Sequence, residues 1–303
     1  MEKQKHIRIV SPSGHISPLI IDSARLLFES WGWQVSEGAH ARCEYGRFAG
    51  TPDERAADLL EALADTETDV VLCSRGGYGL QQIIGGIATA LQGSRPLPLL
   101  CGFSDITCLH SLLGTMAVPS VHGLMCKAGT LPAGSEDVSM WRRVLEGFLP
   151  SYSLPPHPLN REGHAAGRLT GGNLSVLYGL QATPWSIAQI CRRNNEDGCG
   201  TILFIEDICE RHYHIDRMMH NLRLSGVLGM IDGLVVGQFT DIEDDPLMQC
   251  SVAETIRRAA EEYGFPILFG FPAGHDSPNF PLWLNREVSL TVAETGAELS
   301  FAG

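Results

Sequence analysis

Short apolar runs that end in glycine or polar turns alternate along this chain with segments whose apolar residues recur every three or four positions. That is the pattern of strands alternating with helices. Residues 7–10 predict a strand that stops at Ser11-Pro12-Ser13-Gly14. Residues 20–31 place Ala24, Leu27, Phe28 and Trp31 on one helical face, and 33–35 predict the next strand. Thr51-Pro52-Asp53-Glu54 predicts a helix start, with a capping threonine, proline at the first helical position and glutamate three residues after the cap. A strand over 69–73, a helix over 80–91 and a strand over 97–101 follow. Strands this continuously apolar, separated by helices, predict a parallel sheet covered on both faces.

The pattern thins over 150–163, where Pro150, Pro155, Pro156 and Pro158 interrupt it. This predicts an N-terminal domain over 1–150, a linker over 151–165 and a smaller C-terminal α/β domain over 166–303. In the last, strands are predicted over 201–207, 233–237, 266–270 and 287–292.

Composition narrows the function classes. A chain of 303 residues is long enough for two cores. A net charge of −13 repels phosphate backbones, so no nucleic-acid partner is expected. The charged start Met1-Glu2-Lys3-Gln4-Lys5 leads straight into a strand and a turn, without an apolar signal region, and no segment has the apolar length of a membrane span. A cytoplasmic protein without membrane contact is the expectation. Nine cysteines, an odd number without C-x-x-C pairs, include Cys73, Cys101 and Cys108 inside apolar runs. They read as buried reduced thiols, with neither a zinc site nor a disulfide frame.

In open α/β sheets ligands gather beyond the carboxyl ends of strands. Ser104, in Gly102-Phe103-Ser104-Asp105, stands between a strand and the helix that Ile106, Leu109 and Leu113 predict. Such a corner lifts a hydroxyl out of the sheet and aims the first helical amides at what it attacks. The match to G-x-S-x-G is partial, because Ile106 replaces the second glycine, and a helix cap is the competing explanation. Glu206 ends the strand over 201–207, and His275 lies in the loop after 266–270, giving the order serine, acid, histidine. Glu206 and Asp207 alternatively cap a helix, and a loop histidine is alternatively only solvated. Ser74-Arg75-Gly76-Gly77-Tyr78-Gly79 lacks the Lys-Ser/Thr of a phosphate loop; it suits an oxyanion-binding turn or a merely flexible one.

With these motifs in order, the chain resembles the LD-carboxypeptidase family of serine peptidases over almost its whole length. Ser11-Pro12-Ser13-Gly14, Arg47-Phe48-Ala49-Gly50-Thr51, Arg75-Gly76-Gly77-Tyr78-Gly79, Gly102-Phe103-Ser104-Asp105, Gly171-Gly172-Asn173-Leu174, Thr183-Pro184-Trp185, Ile205-Glu206-Asp207 and Gly274-His275 carry the resemblance. It implies an N-terminal flavodoxin-like, class I amidotransferase-like parallel-sheet domain plus a smaller C-terminal α/β domain. It implies Ser104 as nucleophile, His275 as general base and acid, Glu206 as orienting carboxylate, and the amides of Gly77 and Asp105 as oxyanion hole. Asn173 and Trp185 would line the substrate subsite, and Arg75 is the candidate for the free carboxylate an exopeptidase must recognise. No metal and no cofactor are implied, and a homodimer is. The implied reaction hydrolyses the L,D-bond to the terminal D-alanine of murein tetrapeptides, in peptidoglycan recycling. Within the family the alternative is hydrolysis of a peptide-nucleotide antibiotic; outside it, a flavodoxin-like phosphate-binding protein. Serine at 104 argues against a glutamine amidotransferase, which uses cysteine. One departure from the family pattern is Phe280-Pro281-Leu282-Trp283, where bulky Trp283 either reshapes a pocket wall or alters packing.

Overall fold

Two sheets carry the fold in the computed structural model, which describes residues 4–92, 96–132, 134–243 and 245–302. The charged start at Met1–Lys3 and the C-terminal Gly303 lie outside the described residues. The first half runs β1 (His6–Val10), α1 (Pro18–Ser30), β2 (Gln34–Glu37), α2 (Pro52–Ala64), β3 (Val70–Cys73), α3 (Ile84–Ala90), β4 (Leu99–Gly102), α4 (Thr107–Thr115), β5 (Ser120–His122) and α5 (Glu136–Leu145). The second runs β6 (Ser151–Leu154), β7 (Gly163–Asn173), α6 (Leu174–Gly179), α7 (Ile187–Glu196), β8 (Thr201–Ile208), α8 (His212–Leu224), β9 (Gly233–Thr240), α9 (Val252–Ala259), β10 (Ile267–Phe269), β11 (Leu282–Leu284), β12 (Glu287–Ala293) and β13 (Gly296–Phe301).

The first sheet has the order β11-β5-β4-β3-β1-β2. Its strands are parallel except β11, which runs antiparallel to β5. Chain order reverses between β1 and β3, and the carboxyl ends of the strands at such a switch point are where these sheets bind ligands. The second sheet has the order β10-β9-β8-β7-β12-β13-β6 and is parallel only from β10 to β7.

Both faces of the central strands are buried. Val70 and Leu72 of β3 join one core, Val71 and Cys73 the other. Phe204 of β8 belongs to the same core as Val70, while Leu203 and Ile205 pack beneath α8 and α9. One apolar core is therefore shared by the two sheets. The capping box at Thr51 forms as predicted: the Glu54 N–H donates to Thr51 Oγ1, and the Thr51 N–H donates to Glu54 Oε2 at 2.8 Å.

Two expectations change, and Trp283 takes a place in the core. The predicted helix over 80–91 is a 3₁₀ turn at Leu80–Gln82 followed by α3, because the Leu80 amide is taken by the Asp105 carboxylate instead of by a helix. The predicted linker holds β6, which pairs with β13; the buried Tyr152 there donates its hydroxyl proton to the Pro281 carbonyl at 2.6 Å. Trp283 is in β11 and buried, its indole N–H donating to the Phe148 carbonyl at 3.0 Å and its ring beneath Arg286. Its bulk packs in the core.

Candidate active site

The site begins where β4 ends without room for a side chain. A Cβ on Gly102 would lie 2.9 Å from the Ile106 side chain and 3.1 Å from Cys73 Cβ. With Ile106 packed beneath the strand end, the chain turns sharply at Ser104, which takes φ +66°. L-residues seldom adopt that conformation. The 3₁₀ turn Ser104–Ile106 and α4 follow at once. Ser104 remains partly exposed.

Gly76 lies directly against this serine: a Cβ there would stand 2.8 Å from Ser104 Cβ and 3.0 Å from its Oγ. The Gly76 carbonyl accepts the Gly14 N–H at 3.1 Å, so the loops after β1 and β3 meet at the sheet's switch point. Gly77 takes φ +106°, and its N–H has no acceptor among the described residues. The Asp105 amide belongs to the first turn, whose N–H groups have no partner within the helix.

Two buried charges brace these loops. The Asp105 carboxylate accepts from Ser13 Oγ at 2.6 Å and from the Leu80 N–H at 3.0 Å. Burial pushes its pKa up, opposed by those two donors and by Arg55. The Arg55 guanidinium, 1% exposed, donates to the carbonyls of Pro12, Gly50 and Gly79 and to Gln82 Oε1, and lies over Phe48. Arg55 comes from α2, so the capping box at Thr51 anchors one pillar of the site.

The second half supplies an acid and an imidazole. β8 carries Glu206 and Asp207 with side chains on opposite faces. Glu206 is fully buried, and its Oε2 lies 2.7 Å from His275 Nδ1. Asp207 does cap a helix, though the one before it: its carboxylate accepts the Ser175 N–H and the Asn173 side-chain amide. Burial first, then the charge of Glu206, raises its pKa to about 7. Between Glu206 and its neighbours the β8–β9 register shifts, with one extra residue on β9. Such a bulge re-aims a side chain. Here it places Gln238, whose Oε1 accepts the Asp276 N–H at 2.8 Å and whose Nε2 donates to the Pro278 carbonyl at 2.9 Å. Gly274 (φ +146°) passes so close that a Cβ would meet Gln238 Cβ at 2.9 Å and Glu206 Oε2 at 3.3 Å.

The two halves meet at Phe103 and His275, whose ring centres are 4.9 Å apart, edge to face. Both line a cavity of about 490 Å³ together with Ser74, Arg75, Lys127 and Asp276. Ser104 Oγ makes no hydrogen bond among the described residues, and neither does His275 Nε2. Contacts of this kind are commonly long before substrate binds and tighten in the complex. An ionised carboxylate accepts only, so Nδ1 carries the imidazole proton and Nε2 presents its lone pair.

Gly76 thus lies against Ser104, Glu206 against His275, and His275 against Phe103, the residue before Ser104, while Arg75 lines the same cavity as His275. Asn173 and Trp185 do not line the cavity. Asn173 is buried as the N-cap of α6, its oxygen accepting the Val176 N–H and its amide donating to Asp207. Its N–H donates to Thr107 Oγ1 at 2.9 Å and docks the second sheet on the start of α4. Trp185 is partly buried against the first-half core. Sequence reasoning missed Arg55, Gln238 and Lys127. Only Arg55 left a signal, as a charge on the buried face of a predicted helix.

Comparison with known proteins places this geometry in company. The profile of the LD-carboxypeptidase N-terminal domain matches residues 7–123, and that of the LD-carboxypeptidase C-terminal domain matches 166–290. A probable murein peptide carboxypeptidase of Bacillus subtilis is 31% identical over 309 residues, covering 98% of this chain and 92% of that protein. The murein tetrapeptide carboxypeptidase of Pseudomonas aeruginosa is 28% identical, covering 90% and 89%. The crystal structure of muramoyltetrapeptide carboxypeptidase from Oxalobacter formigenes superposes with a TM-score of 0.84 at 24% identity, over 99% of both chains. The structure of MccF in complex with glutamyl sulfamoyl guanosine shares the fold at 0.80 and 16% identity, covering 99% of this chain and 97% of that one.

Proposed function

The chain belongs to the LD-carboxypeptidase family, and from that premise we propose that it is a serine carboxypeptidase hydrolysing the L,D-peptide bond to the terminal D-alanine of murein tetrapeptides. The observation that carries the reading is the 2.7 Å contact between His275 Nδ1 and buried Glu206, with the imidazole edge to face on Phe103, the residue before Ser104. In this mechanism His275 Nε2 takes the Ser104 proton as Oγ attacks the carbonyl of the L-centre. Glu206 holds the tautomer and stabilises the imidazolium that forms. The amides of Gly77 and Asp105 receive the tetrahedral oxyanion, a contribution of about 3 kcal/mol per donor in comparable sites. His275 then gives its proton to the departing D-alanine amine. Water, deprotonated by the same imidazole, releases the acyl group from Ser104. Arg75, one residue from the glycine that touches Ser104, receives the D-alanine carboxylate.

A cytoplasmic homodimer acting in peptidoglycan recycling is the setting that suits this chemistry. No helix among the described residues is long and apolar enough to cross a membrane. The test is mass spectrometry of L,D- and D,D-linked muropeptides, and of an aminoacyl-adenylate mimic, after incubation with the protein. Release of D-alanine from the L,D-linked peptide is expected, and Ser104→Ala should lower it by roughly 10⁴-fold or more while the fold persists. Turnover of the adenylate mimic alone, or unchanged turnover in the variant, overturns the proposal.

A further inference from the structure

Seven buried side-chain nitrogen and oxygen atoms have no hydrogen-bond partner among the described residues, and three of them belong to two residues: both ring nitrogens of His122 and Oε1 of Glu206. Both residues are fully buried. An unpaired polar group in the interior is costly, and such groups are ordinarily satisfied by protein or by internal water. The mechanism above uses one oxygen of Glu206 and nothing of His122, so these three atoms are unaccounted for.

A closed circuit of contacts joins them. His122 ends β5, and its register partner is Gly102 at the end of β4, from which Phe103 and Ser104 leave. The imidazole of His122 lies 5.7 Å from the Phe103 ring, centre to centre, and Phe103 in turn lies 4.9 Å from His275. His122 also meets Phe204 edge to face at 5.0 Å. Phe204 and Glu206 are two residues apart on β8, whose ladder to β7 runs without a shift, so their side chains leave on the same face. Glu206 closes the circuit, its Oε2 being 2.7 Å from His275 Nδ1. His122 and the free carboxylate oxygen thus face one interior space, bounded by Phe103, Phe204 and the imidazole of His275.

Burial first, then His110 and His275, lowers the pKa of His122 well below 6.5. A neutral imidazole brings no charge to the acid–base pair; it offers one N–H and one lone pair. Building on the carboxypeptidase reading above, we propose that His122 is a positioning residue, which through one internal water holds the second oxygen of Glu206 and so the plane of the carboxylate that fixes His275. The ring N–H donates to the water, and the water donates to Oε1. The carboxylate charge is then shared between two donors. Without the second, it falls on the imidazole alone, and the proton affinity of the pair rises. The other titratable groups around the pair are His110 behind His122, Asp207 on the opposite face of β8, and Arg75, Lys127, Asp137 and Asp276 at the cavity. None is altered in the variants below, so a change at His275 reports on His122.

The experiment follows the His275 imidazole by NMR through its titration in the native protein, His122→Phe and His122→Gln, the resonance being assigned by its loss in His275→Gln. His122→Phe should raise the pKa of His275 by about one unit, the size of one hydrogen bond to a charged group. His122→Gln, whose amide can donate to the same water, should move it by less than about a third of that. If the phenyl variant does not fold, His122→Leu takes its place. In kinetics, His122→Phe should lower kcat for D-alanine release about tenfold with KM little changed. The same substitution made in Glu206→Ala should cost less than about twofold, because no carboxylate is left to hold. An unmoved His275 pKa in His122→Phe overturns the proposal. So does an equal shift in His122→Gln, or a kcat loss that persists undiminished in Glu206→Ala, since either marks a packing effect. Absence of D-alanine release by the native protein overturns the carboxypeptidase reading instead, and the titration, which needs no substrate, still decides the role of His122.

Discussion

Ser104 and Gly76 lie in loops that leave different strands, and the space one needs is the space the other lacks a side chain to fill. A serine at φ +66° costs about 1–3 kcal/mol, sustained by the packing of Ile106 under Gly102. The hydroxyl position is therefore set by backbone and by a hydrogen atom on Gly76, with little freedom to adjust. Gly76→Ala should push Ser104 from its place and lower D-alanine release by about 10²-fold. Its thermal midpoint should fall far less than activity does; retention of near-native kcat would remove Gly76 from the site. At this scale the sequence marked the corner and the three reactive side chains by their positions after strands. It named Glu206 as the acid, while the helix that Asp207 caps, the one before it in the chain, depends on the packing of β7 against β8.

At the scale of elements, the bulge between β8 and β9 couples acid and base. Gln238 clamps both sides of the histidine loop, through the Asp276 N–H and the Pro278 carbonyl. Gln238→Ala should lower kcat by about tenfold with a smaller change in KM, since the loop then samples orientations that miss the serine. Gln238→Glu, which keeps the acceptor but not the donor, should fall between; equal kcat in all three proteins would reject a positioning role. Helices and parallel strands were legible here because apolar spacing and the Thr51 capping box are local signals. β6 and β11 were not. Each is short and completes its ladder with residues far along the chain, β6 with β13 and β11 with β5.

For the whole molecule, the shared core makes the two halves one folding unit, and its stability carries opposed pH dependences. His110 is buried between the Gly102 carbonyl and Ser120 Oγ, and burial lowers its pKa from 6.5 to about 4. Between those values the unfolded chain holds a proton the folded one refuses, so this contribution is present above pH 6.5 and lost as pH falls towards 4. Asp207, raised from 3.8 to about 7, acts in reverse: its contribution is present below 3.8 and lost as pH rises through 7. Asp207→Asn removes the second dependence. Denaturant unfolding between pH 4.5 and 7.5 should show stability rising more steeply with pH in the variant; parallel curves would contradict the assignment.

By itself the sequence determined the alternation of strands and helices, the burial of Cys73, Cys101 and Cys108 (though not of Cys43 and Cys209, which are exposed), the serine corner and the family to which the chain belongs. All of these are written in local spacing, in turn chemistry or in short motifs that survive without their surroundings. Tertiary structure alone decided that β11 crosses into the first sheet and that Asn173 caps α6 and binds Asp207. It also decided that Arg55 ties three loops and that Lys127 lines the histidine's cavity. Those outcomes depend on groups brought together from distant parts of the chain, and only packing selects among the partners a side chain can take.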